Sequence, residues 1–133
     1  MTAAAVTPGQ KLDRVVQTIE RADLVRYAGA SGDFNPIHWN DEFARSVGLP
    51  GVIAHGMFSM GVAARMISAF ATDPAAVKRL RVRFSSMIQP GQTLTVSGEV
   101  AGVDGDRALI RFWGEDENGN RVLSKGEAEL ELA

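Results

Sequence analysis

The chain contains no cysteine, so no disulfide, iron–sulfur cluster or thiol nucleophile is available to it. Histidine is almost as scarce. His38 and His55 are the two, they do not form an H-x-x-x-H pair, and no zinc site is expected. No Gly-x-x-x-x-Gly-Lys-Ser/Thr run occurs, which removes a P-loop. Ser59 stands in G-M-F-S-M-G rather than G-x-S-x-G, so a serine hydrolase lacks its nucleophile elbow. The two tryptophans, Trp39 and Trp113, are too separated to make a stacking platform, and a net charge of -2 supplies no basic field. Neither nucleic acid nor an anionic membrane surface is therefore an expected partner. There is no apolar run long enough to cross a bilayer and no signal-like h-region at the N-terminus. A soluble cytoplasmic protein is the default expectation.

What the chain does have is core-forming material. With 133 residues, 45% of them hydrophobic, residues 1–133 are expected to form one domain, frayed only over residues 1–7. Leu12 to Ile19 reads as a first strand. Ala22, Leu24, Val25 and Ala28 recur at helical spacing and predict a short helix over 21–28, stopped by Gly29. Asn40 is placed to cap a second helix over 41–47, with Asp41 and Glu42 in its first turn and Gly48 at its end.

The longest helix is predicted over 54–70, where Met57, Phe58, Met60, Val62, Ala63, Met66, Ile67 and Phe70 spread nearly all round; such a helix is normally buried. Gly56 and Gly61 disfavour helix there, so close packing or ligand access must justify them. After Thr72-Asp73-Pro74 the pattern changes to strands over 77–87, 94–103, 108–115 and 122–132, with turns at Pro90-Gly91, Asp104-Gly105 and 116–120. The expected class is α+β, an antiparallel sheet gathered on one long helix. Arg79, Arg81 and Arg83 alternate along one strand as either a solvated face or an anionic-ligand entrance.

Both histidines fall in the run Tyr27 to Gly61. Within it Ser31-Gly32-Asp33-Phe34-Asn35-Pro36 is dense in turn formers and reads as a loop of fixed shape, with Asn35 held extended by Pro36. Such a loop can turn Asp33 and His38 into one cleft as a carboxylate–imidazole pair suited to moving a proton. Taken alone, the two residues read more readily as a turn cap and a surface residue. Gly56 reads either as a close-packing residue or as a free N–H at a helix start that can stabilise charge on a carbonyl oxygen. His55 reads as a structural hydrogen-bonder beside it.

The run Y-A-G-A-S-G-D-F-N-P-I-H-W-N, followed 22 residues after Asp33 by H-G-M, resembles the hydratase-2 motif of the MaoC-like family. Weaker similarity extends over nearly the whole chain, including V-R-F-S-S-M-I-Q-P-G-Q-T-L, and the wording of D-L-V-R-Y-A-G-A-S-G-D and H-W-N-D-E is similar to dehydratase subunits of mycobacterial fatty-acid synthesis. The resemblance implies a single hot-dog domain, with the sheet wrapped around the long helix. It implies an (R)-specific enoyl-CoA hydratase or (3R)-hydroxyacyl-ACP dehydratase, a hydro-lyase on acyl-CoA or acyl-ACP thioesters without metal or redox cofactor. It also implies a dimer, either a homodimer or a heterodimer with another hot-dog chain.

On the matching positions Asp33 and His38 would be the catalytic pair, Asn35 and the Gly56 N–H would bind substrate, and Ser31, Gly32, Pro36 and His55 would support the site. Asn40 stands where many members carry Asp, and a serine that some hydratases place in the central helix falls at Gly61 here. That role is not transferred to Ser59. The other functions to weigh are a subunit active only beside a sister chain, and a hot-dog thioesterase; the intact G-D-x-N-P-x-H run speaks against the latter.

Overall fold

The computed structural model describes residues 5–133. Five strands form one antiparallel sheet: β1 (Val15–Thr18), β2 (Val77–Phe84), β3 (Thr93–Asp104), β4 (Arg107–Glu115) and β5 (Arg121–Glu131), in the order β1-β3-β4-β5-β2. Alternation builds its inner face. Leu94, Val96 and Val100 of β3 and Ala108, Ile110 and Phe112 of β4 are buried, while the residues between them are more exposed. The helices are α1 (Arg21–Ser31), α2 (Asp41–Ser46) and α3 (Gly56–Ala71). Along α3, Ser59, Val62, Ala63, Met66, Ile67 and Ala71 are buried, the apolar ones within the core that the inner sheet face also forms. This is the expected hot-dog arrangement, an open sheet on a central helix.

Two glycines let the sheet come this close. A methyl at Gly98 would stand 2.9 Å from Met66 Cε on α3. At Gly126 it would stand 2.5 Å from the Phe112 carbonyl oxygen. Beside Gly126, Lys125 takes a left-handed conformation at φ 52°. It is the extra residue of β5 on both sides: Phe112↔Gly126 is followed by Gly114↔Leu123, and Arg81↔Glu127 by Arg83↔Ser124. A bulge of this kind bends a strand and increases its twist.

The boundaries differ from the sequence expectation in instructive places. β1 is shorter than 12–19 because Lys11 and Leu12 contact β3 separately, Leu12 N–H donating to Gly98 O. Val6 is buried, Thr7 is bonded to Gln10, and residues 9 and 10 are tied to Val100 of β3, so the chain is ordered from before residue 7; residues 1–4 lie outside the described residues. α1 runs through Gly29 and ends where Gly32 adopts φ 78°. α3 starts at Gly56 rather than residue 54, because Ala54 N–H is taken by Ile88 O. Nor is α3 covered all round: Met57, Gly61, Arg65 and Ala69 face outward from this single chain. β2 stops at Phe84, after which the chain turns inward to bury Ile88.

Candidate functional site

Between α1 and α2 the chain makes its own scaffold from short polar side chains. Ser31 Oγ accepts from Asp33 N–H at 3.1 Å, Asp33 Oδ1 from Asn35 N–H at 3.2 Å, and Asn35 Oδ1 from Ile37 N–H at 3.2 Å. Each is a side chain holding the backbone two residues on, the reason Ser, Asp and Asn suit such a loop. Gly32 supplies the positive φ that ends α1, and Pro36 opens a 3-10 turn over Pro36–His38. Trp39 Nε1–H closes the loop onto Phe34 O at 2.9 Å.

This scaffold aims Asp33 at His38. Asp33 Oδ2 lies 3.7 Å from His38 Nε2, with the carboxylate about half exposed and the imidazole buried. At the other end of the ring His38 Nδ1 is 2.7 Å from Ile53 O. A carbonyl only accepts, so Nδ1 carries the proton and Nε2 presents its lone pair toward Asp33 in the neutral ring. Ile53 is itself held: its N–H donates to Ile37 O, and the preceding Val52 N–H donates to Asp41 Oδ1 at 3.0 Å. Asp41 also pairs with Arg21 at 3.0 Å. The Val52 N–H, ahead of Arg21, holds the Asp41 carboxyl below its usual range despite some burial.

His55 completes the cluster from the far side. Its Nε2 lies 3.1 Å from the Asp33 carbonyl oxygen, and its ring stacks on His38 with centroids 3.7 Å apart and planes 21° from parallel. Tyr27 of α1 meets the other side edge-on at 4.7 Å, and Tyr27 in turn meets Phe58 of α3. Burial pushes the His55 pKa down, outweighing the favourable Asp33 carbonyl. Its Nδ1 is buried with no partner among the described residues.

Asp33, His38 and His55 bring three potential metal-ligating atoms within 4.8 Å of one another. Imidazole lone pairs lie in the ring plane, so two stacked rings point theirs along nearly parallel planes rather than at one ion, and His55 Nε2 is already committed to the Asp33 carbonyl.

Immediately after His55, α3 begins. Neither the Gly56 nor the Met57 N–H finds an acceptor among the described residues, as expected for the first turn of a helix whose preceding residue offers no side-chain cap. Gly56 packs under Phe84: a methyl there would come within 2.8 Å of two ring carbons. Both expectations for Gly56, close packing and an open N–H, thus meet at one residue.

Every residue expected at the site lies in this loop or at the helix start. Asp41, Ile53, Tyr27 and Phe84 were not anticipated there. Asp41 was visible only as a first-turn acid of α2, and nothing in the pattern ties it to Val52. Asn40 caps α2 through Phe43 N–H as expected. Arg79, Arg81 and Arg83 lie exposed on β2, with Arg81 paired to Glu127 at 3.1 Å.

The profile of the MaoC-like domain matches residues 3–117. The chain belongs to the MaoC-like family. This MaoC-like domain is 28% identical over 115 residues to an (R)-specific enoyl-CoA hydratase of Rhodospirillum rubrum, covering 86% of this chain and 80% of that protein. It is 39% identical over 107 residues to the fatty acid synthase β subunit of Saccharomyces cerevisiae, covering 79% of this chain but only 5% of that much longer protein. Among solved structures it resembles an R-hydratase of Pseudomonas aeruginosa in the unliganded form, at a TM-score of 0.87 and 28% identity over 97% of this chain and 83% of that one.

Proposed function

We propose that this MaoC-like domain is a hydro-lyase of fatty-acid metabolism that interconverts trans-2-enoyl and (3R)-3-hydroxyacyl thioesters, carried on CoA or on an acyl carrier protein. The observation that carries the reading is the opposition of Asp33 Oδ2 and His38 Nε2 at 3.7 Å, next to a helix start with unused N–H groups. That separation is too long for a good direct hydrogen bond but suits one water bonded to both groups.

In the hydration direction the enoyl carbonyl accepts from Gly56 N–H. Electron density moves onto that oxygen as the water oxygen bonds to C3. The Asp33–His38 pair takes the water proton and supplies a proton to C2, which consumes the C2=C3 double bond and restores the carbonyl. Asn35 keeps the Asp33 loop in shape and lines the substrate side. Dehydration reverses each step with the same groups. Gly56 suits the carbonyl position because it adds no side chain of its own to the first turn of α3, leaving Phe84 as the neighbour over its Cα.

The test is hydration of crotonyl-CoA and of a long-chain 2-enoyl-CoA by the wild type, Asp33→Asn and His38→Ala. Each variant is expected to lose about 10²- to 10⁴-fold in kcat. Wild-type rates in both variants would sink the assignment, and release of free CoA would point instead to a thioesterase. A second reading, a subunit active only in a pair, is favoured by one specific observation. Phe34, Trp39, Met57, Phe84 and Met87 are all exposed in the single chain, on the loop, the start of α3 and the end of β2.

A further inference from the structure

His55 makes contacts that a simple packing residue would not need. It is 2% exposed, its Nε2 meets the main-chain carbonyl of Asp33, and its ring face covers that of His38. The titratable groups that face it are Tyr27 from α1 and Asp33 and His38 from the loop. With Nε2 facing an acceptor, the ring proton must sit on Nε2, and Nδ1 keeps a bare lone pair with no partner among the described residues. Adding a second proton would bury an N–H without an acceptor and set a cation 3.7 Å from the neighbouring imidazole. The contacts therefore define one tautomer and one charge state.

We propose that His55 is a positioning residue of the proton-moving pair, a neutral imidazole that holds the Asp33 backbone by its Nε2–H and the His38 ring by its face. His55 thus reaches both partners, Asp33 through its main-chain carbonyl at one ring edge and His38 through its ring face. Asp33 is braced at its carbonyl by His55 and at Oδ1 by Asn35 N–H, which leaves Oδ2 to face His38 and the substrate. His38 is braced on its face, and its Nδ1–H is braced at Ile53 O. Only His38 Nε2 is left to react.

The proposal rests on the hydratase reading for its kinetic readout, and it has a spectroscopic one that does not. In ¹⁵N-resolved spectra of the intact protein, His55 is expected to show Nε2–H with unprotonated Nδ1 from pH 8 down to the ordinary imidazole value of about 6.5, and to take up a proton only below it. A protonated His55 or an Nδ1–H tautomer within that range would overturn the proposal, whether or not the protein hydrates enoyl-CoA.

For kinetics, His55→Phe keeps the stacked face and loses the donor, while His55→Gln keeps an N–H donor and loses the face. Each is expected to lower kcat by about 10- to 100-fold, with KM changed by less than about threefold, since the loss is one of alignment. Wild-type kcat in either variant would overturn it. Should His55→Phe fail to fold, His55→Gln and the wild-type spectra still decide. A wild type inert on every enoyl thioester, alone and beside a sister chain, would defeat the hydratase reading but leave the spectroscopic outcome standing.

Discussion

At the scale of single residues the site depends on how polar atoms are paired, and two groups make that dependence measurable. The His55 pKa is lowered in the folded protein by burial, whereas the unfolded chain binds its proton at the ordinary value of about 6.5. The unfolded state therefore holds more protons just below that value, and stability falls with falling pH there. The contribution is fully present above about 6.5 and lost as pH drops toward the folded value. Thermal unfolding of the wild type between pH 7.5 and 5.5 is expected to show a falling Tm, with a shallower slope in His55→Phe. Equal slopes would mean that His55 is not the group responsible.

Asp41 behaves differently over the same window. Its folded pKa is also lowered, chiefly by Val52 N–H, so its contribution is present above the ordinary carboxylate value and goes only as pH falls through the depressed one. Between pH 7.5 and 5.5 it stays ionised and adds no slope. Its effect on chemistry runs through Val52 and Ile53 to the His38 Nδ1–H. Asp41→Ala releases that N–H and is expected to lower kcat by tens-fold at little change in KM, since small misplacements of a reacting group cost up to about 10²-fold. Asp41→Asn keeps an acceptor oxygen for Val52 and should fall between. An Asp41→Ala enzyme with unaltered kcat would show that the Ile53 carbonyl holds its place without help.

At the scale of elements, what decides is which atoms stand where a side chain would go. Gly126→Ala sets a methyl 2.5 Å from the Phe112 carbonyl oxygen in the middle of the sheet, where neither strand can retreat. Overpacking against backbone of this kind is expected to cost about 3 kcal/mol or more, read as a lower denaturant midpoint. Gly56→Ala meets only the ring of Phe84, which is half exposed and can swing. Ala also improves helix propensity by about 1 kcal/mol, so this variant should fold with nearly wild-type stability. Its thioester hydration should nonetheless fall, because the new methyl and the displaced ring crowd the first turn of α3. Stability loss without activity loss would reverse this assignment. Helix positions, the Asn40 cap and hairpin turns were readable from the pattern because they rest on local spacing, whereas α1 runs past the predicted stop at Gly29. The Lys125 bulge was not, since it exists only through two neighbouring ladders.

At the scale of the whole molecule the single chain leaves the outward side of α3 and several large apolar side chains open. If a second hot-dog chain covers them, activity should follow association. The chain expressed alone should be sized by sedimentation and assayed across a series of acyl lengths. A monomer with full hydratase activity would rule out the paired reading, whereas an inert monomer rescued by a sister chain would establish it.

The sequence by itself determined the fold class, one long helix against antiparallel strands, because hydrophobic spacing and turn chemistry are local. It also determined the loop from Ser31 to His38, whose polar side chains bind their own neighbouring backbone. Taken alone, Asp33 and His38 were still open to a bland reading, and only the resemblance in that run singled them out. Tertiary structure alone decided that His55 stacks on His38, that Asp41 reaches Val52, and that Phe84 lies on Gly56. These contacts join segments with no shared period, brought together by the burial of α3, and it is burial that gives each lone pair and each methyl its consequence.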